Sequence, residues 1–146
     1  IGKGMLVTYK NANVSDDDAA FVKSLLKTSG KVASIADEAQ MDAVTAVSGS
    51  GPAYVFHFIE ALTDAGVTAG LPRETAALLA MQTVMGAGAL AAASSDSPTK
   101  LREQVTSPNG TTAAALNVLM GEDRLKNLVA DAVDAARKRS IELGKA

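Results

Sequence analysis

The chain has 146 residues, 47% of them hydrophobic, yet only 3% are aromatic and alanine dominates the apolar set. That length suffices for one domain with its own core, and small side chains let helices approach closely, so packed helices fit better than an all-β fold. A net charge of −2 without a basic cluster argues against nucleic acid, and the lack of cysteine excludes disulfides, thiolate catalysis and cysteine-ligated metal.

The first predicted element is a short strand over Gly4–Tyr9, built on Met5, Leu6 and Val7. Asn11 and Asn13 mark a loop. Ser15 is an N-cap, and Asp16, Asp17 and Asp18 complement the helix N-terminus that follows. Consecutive positions on a helix point in different directions, so these aspartates read as a solvated first turn, and no metal site is expected. Phe21, Val22, Leu25 and Leu26 form one apolar stripe, Gly30 is expected to stop the helix, and Lys31–Ile35 reads as a second strand. Strand, helix and strand together read as the edge of an α/β domain. Ile1 to Gly4 starts no regular element and the chain does not open on Met, so the sequence is expected to be a piece of something longer.

From Glu38 onward the pattern is helical. A helix from Glu38 to about Val47 is expected to break at Ser48-Gly49-Ser50-Gly51, with Pro52 in the first turn of the next. That next helix should run to Ala65, be capped by Gly66, and lie buried nearly all round, since Tyr54, Val55, Phe56, Phe58, Ile59 and Leu62 leave few polar positions. Pro72 opens a long helix to about Ala93, again apolar on most of its circumference; Gly86 and Gly88 inside it point to close helix–helix approach. Ser97-Pro98 opens another helix. A further one starts at Thr111 or Thr112 and ends near Gly121, and a last one runs from Glu122 and Asp123 to Leu143 with 3–4 spacing. No apolar run is expected to span a bilayer, no signal-peptide pattern is present at the start, and the chain is expected in the cytoplasm.

Two short runs carry chemistry. Thr106-Ser107-Pro108-Asn109-Gly110-Thr111-Thr112 places small and hydroxylated residues at a helix start, where backbone N–H groups lack partners and the helix dipole favours negative charge. It reads either as a seat for a small anion or as an ordinary capped turn. Ser48 and Ser50 read more simply as caps than as ligand contacts. His57 is the only histidine; in an apolar stripe with Glu60 nearby, it reads as structural rather than as an acid or base, and it supports neither a triad nor a transition-metal site.

The run Ala43-Val44-Thr45-Ala46-Val47-Ser48-Gly49-Ser50-Gly51-Pro52-Ala53-Tyr54 resembles the start of the C-terminal domain of pyrroline-5-carboxylate reductases. An apolar helix, Gly70-Leu71-Pro72 and the Thr106–Thr112 loop follow in that family's order. Asn109 departs from the pattern, which has glycine there; asparagine tolerates positive φ well enough to keep the loop's shape. The resemblance implies a mainly α fold: residues 1–37 as the truncated edge of a Rossmann-type cofactor domain, then residues 38–146 as a helical dimerisation and substrate-binding bundle. It implies reduction of 1-pyrroline-5-carboxylate to L-proline with NADP or NAD as cofactor, bound mainly by a preceding domain whose Gly-rich fingerprint is not in this sequence. It implies that Ser107, Gly110 and Thr111 hold the substrate carboxylate, that Thr112 faces the imine nitrogen, and that the source of the imine proton is open among Thr112, water and a preprotonated iminium. It implies a homodimer, with dimers able to join into rings. The alternative from composition alone is a helical oligomerisation module without catalysis.

Overall fold

The computed structural model describes residues 1–145. They form two compact units, Ile1–Gly51 together with the chain from Ala132 onward, and Pro52–Asp131.

The first unit opens with β1 (Gly4–Tyr9), α1 (Asp16–Leu26) and β2 (Gly30–Ile35), as the sequence pattern requires. The strands pair in parallel, Gly4 opposite Gly30 through Tyr9 opposite Ile35. Ser15 caps α1: the Asp18 N–H donates to Ser15 Oγ (3.0 Å), and the Ser15 hydroxyl donates to Asp18 Oδ2 (2.7 Å). Gly30 does not stop the helix, which ends at Leu26; it is the first residue of β2. Its φ is 158°, and a Cβ there would lie 2.0 Å from the Gly4 carbonyl oxygen, so glycine is needed for the strands to meet.

Asp37 caps a 3-10 turn, Glu38–Gln40, with the Ala39 N–H donating to its carboxylate (2.9 Å). It leads into α2 (Met41–Val44), and the Ser140 hydroxyl donates to Asp42 Oδ1 (2.6 Å), tying the last helix of the chain to this segment. The expected break falls at Ser50, the one residue between the helical segment ending at Gly49 and α3, which starts at Gly51. The backbone stays helical through a widened π-turn, Thr45–Gly49, in which the Ser50 N–H donates to the Thr45 carbonyl (2.9 Å). Pro52 supplies the reason for the widening: it lacks an N–H, and its ring would strike the carbonyl four residues back in a regular helix, so the turn before it opens.

The second unit carries most of α3 (Gly51–Thr68), then α4 (Arg73–Ala93), α5 (Pro98–Gln104), α6 (Thr111–Met120) and the first part of α7 (Arg124–Leu143). α3 runs past Gly66 instead of ending there. A Cβ on Gly66 would stand 3.1 Å from the Ala76 Cβ, so this glycine admits α4 at close range. The cap is Gly70, at φ 102°: the Leu71 N–H donates to the Gly66 carbonyl (3.0 Å) and the Gly70 N–H to that of Val67 (2.9 Å). That is the Schellman arrangement, which favours glycine at the left-handed position. Arg73 Nη2 reaches Asp64 Oδ1 (2.9 Å), a second link between α3 and α4. α5 starts as expected, with Pro98 in its first turn and the Lys100 N–H on Ser97 Oγ (3.3 Å). α7 begins at Arg124, because Glu122 and Asp123 both take left-handed backbone (φ 55° and 54°) at the corner after α6.

Two expectations fail. α3 and α4 are not buried: Val55, Phe56, Phe58, Leu78, Leu79, Met81 and Met85 are exposed, and the buried residues are Ala46, Thr63, Ala76 and Ala80 alone among those described. An apolar helix is buried only if neighbours surround it, and within this chain there are too few. An apolar run long enough to cross a membrane is also present after all. α4 has that length and composition, because no charge stands between Glu74 and Asp96. Alanine and glycine make it apolar through small groups, which disguises the run.

Candidate carboxylate-binding loop

α5 ends at Gln104, and the Thr106 hydroxyl donates to the Arg102 carbonyl (2.6 Å), anchoring the loop to the helix before it. Ser107-Pro108-Asn109-Gly110 then makes a tight turn, with the Gly110 N–H donating to the Ser107 carbonyl (3.0 Å). Proline at the second position and φ 59° at Asn109, the third, are the features of a type II turn. Asn109 thus takes the left-handed backbone that its residue type tolerates. Gly110 itself has φ −81°, so it is needed here for space: a Cβ would lie 3.2 Å from the Ser107 carbonyl oxygen.

Gly110 is also the N-cap of α6, and no side chain caps this helix. The hydroxyls of Thr111 and Thr112 stand inside the first turn rather than before it. The first-turn amides of Thr111, Thr112 and Ala113 therefore lack a capping side chain, and the dipole adds partial positive charge there. Ser107 and Thr111 are exposed, and Thr112 is half-buried. One turn and one helix start thus bring Ser107, Gly110, Thr111 and Thr112 together. The turn is present, and no side chain caps the helix it leads into. The engaged Gly110 amide escaped the sequence reading, although Ser-Pro-Asn-Gly is itself a turn signal.

The remaining residues singled out fall elsewhere. His57 is exposed on α3, with Nδ1 3.1 Å from Glu60 Oε2, an exposed pair rather than a core histidine. The Ser48 hydroxyl donates back to the Val44 carbonyl (3.0 Å). Asp16 is held below the ordinary carboxylate range by its hydrogen bond and charge interaction with Lys10, whose Nζ lies 2.6 Å away. Among the described residues no group of acidic or histidine side chains could hold a metal ion.

The described residues thus define a mainly helical domain preceded by a parallel strand pair. Residues 38–143 match the family model described as pyrroline-5-carboxylate reductase dimerisation, and the chain belongs to this family. It is 48% identical over 137 residues to the pyrroline-5-carboxylate reductase of Pseudomonas aeruginosa, covering 94% of this chain and 50% of that protein. Against the Arabidopsis thaliana reductase the identity is 44%, covering 99% and 52% respectively. A Coxiella burnetii pyrroline-5-carboxylate reductase superposes with a TM-score of 0.92 at 39% identity, over 97% of this chain and 52% of that one. The Plasmodium falciparum pyrroline carboxylate reductase, solved with NADP bound, gives 0.83 at 38% identity, over 98% and 54%. The chain spans about half the length of the curated relatives it matches.

Proposed function

We propose that this chain is the dimerisation and substrate-binding part of an oxidoreductase that reduces 1-pyrroline-5-carboxylate to L-proline with NAD(P)H, a step of proline biosynthesis. The observation that carries the reading is the uncapped helix start at Gly110, in a chain that belongs to the family of the reductase's dimerisation domain. Ser107 offers its hydroxyl to the substrate carboxylate. Gly110 gives close approach, its own amide being partly engaged, and the Thr111 amide stands next in the turn. Thr112 orients the imine nitrogen through its hydroxyl. A neutral threonine is a weak acid, so its role here is orientation.

The domain boundary falls between residues 37 and 38 in this reading, where the family match begins. Residues 1–37 are then the C-terminal edge of a Rossmann-type domain and 38–146 the helical domain. This chain does not itself fit a dinucleotide. The connection from β1 to α1, Lys10 to Ser15, contains no glycine, and Asp16, Asp17 and Asp18 at the helix N-terminus would repel phosphate. The cofactor is therefore assigned to residues outside this sequence. Two copies assemble through the exposed apolar faces of α3 and α4, dimers join into rings, and the protein works in the cytoplasm.

The test is direct. A protein in which this chain follows a dinucleotide-binding domain is expected to turn over pyrroline-5-carboxylate with NAD(P)H, and the 146-residue chain alone is not. Steady turnover by the chain alone would overturn the division of labour. No turnover by the longer protein would leave the oligomerisation module.

A further inference from the structure

Of the five asparagines in the chain, Asn109 alone precedes a glycine, and it is exposed on the loop with φ 59°. We propose that Asn109–Gly110 is a site of spontaneous deamidation whose rate is governed by the Ser107–Gly110 turn. The chemistry needs only water. The Gly110 backbone nitrogen gives its proton to solvent base and attacks Cγ of Asn109. A new Cγ–N bond closes a cyclic imide, and the side-chain amide nitrogen takes up a proton and leaves as ammonia. Water then adds to one of the two imide carbonyls, and ring opening yields aspartate or its β-linked isomer. Glycine permits the closure because no Cβ crowds the attacking nitrogen.

The turn restrains the same nitrogen. Its proton is donated to the Ser107 carbonyl (3.0 Å), and Pro108 presets the backbone that makes this bond. Attack therefore waits for the turn to open. The consequence for function rests on the reading of this loop as a carboxylate seat. A carboxylate formed at position 109, one residue before the N-cap, competes for the first-turn amides of α6 and repels an incoming anion.

The experiment is incubation of the intact protein in mildly alkaline buffer, followed by peptide mapping for aspartate and isoaspartate. Asn109 should convert ahead of Asn11, Asn13, Asn117 and Asn127. Its rate should be about threefold to tenfold below that of the urea-unfolded protein, the protection expected of one net hydrogen bond. Pro108→Gly should remove most of that protection, and Asn109→Gln should abolish the modification. No conversion at Asn109 while the unfolded chain converts would overturn the site. Equal rates in folded wild type and Pro108→Gly would overturn the turn's control. Substrate KM, measured in the longer protein in which this chain follows a dinucleotide-binding domain, should rise both after ageing and in Asn109→Asp, with kcat retained. Conversion with unchanged KM would leave the modification standing and sink the carboxylate seat, so the two ideas fail separately.

Discussion

Thr112 stands half-buried in the first turn of an uncapped helix, and Ser107 stands exposed at the turn before it. In the proposed full-length reductase their substitutions should separate. Thr112→Ala removes a hydrogen bond at the reacting nitrogen and should lower kcat about tenfold to a hundredfold, the kinetic equivalent of roughly 1–3 kcal/mol. Ser107→Ala removes a carboxylate contact of similar strength in ground and transition states, so KM should rise and kcat hold. Steady-state kinetics beside thermal melts check both, since a purely structural role predicts lower stability with unchanged rates. Gly30 offers a test that owes nothing to function. With a Cβ placed 2.0 Å from a backbone oxygen, Gly30→Ala must push β1 and β2 apart. It should lower the melting temperature markedly, whereas Gly86→Ala meets open space within the chain and should not, unless a second copy fills that space.

Among the elements, helix starts marked by a cap or a proline were legible, as were the ends of α4, α6 and α7, whereas the ends of α1 and α3 were not. Ser15, Ser97-Pro98 and Pro72 announce their helices because caps and prolines act locally, through a hydroxyl or a fixed φ. Gly66 misled because a glycine in a helix signals either a cap or a close neighbour, and only the position of Ala76 decides. The π-turn was hidden because Ser-Gly-Ser-Gly marks the break, which falls at Ser50, without showing how the turn before it widens. The candidate loop was readable as a helix start, but its engaged Gly110 amide depends on the turn's geometry. α7 adds a prediction of its own. Asp134 is held below the ordinary carboxylate range, first by its hydrogen bond with Lys138 and then by that with Arg137. A depressed folded value means the stabilisation is present above the ordinary range and is lost as pH falls through the depressed one. The melting difference between wild type and Asp134→Asn should therefore be present at neutral pH and vanish in strong acid. Since the group is exposed, the difference should be small and should shrink with added salt.

At the scale of the whole molecule, the apolar pattern of α3 and α4 reads as demanding burial. Within this chain the two helices stay exposed, and the reading met that need with a second copy. Among the described residues four are buried, three of them alanines, far too little for a chain this long to rest on. The proposed homodimer should therefore be obligate. Sedimentation at micromolar concentration should find no folded monomer, and the melting temperature should climb with protein concentration by mass action. A stable monomer, or a melting temperature indifferent to dilution, would refute it.

The same scarcity of buried residues bears on how much of this protein a cell can keep. A newly made copy with Phe56, Leu78 and Met85 exposed is, until it meets its counterpart, a client for chaperones and proteases. Encounter scales with the square of the concentration of unpaired copies, while clearance scales with its first power. Halving synthesis should therefore lower the standing amount of assembled protein by more than half.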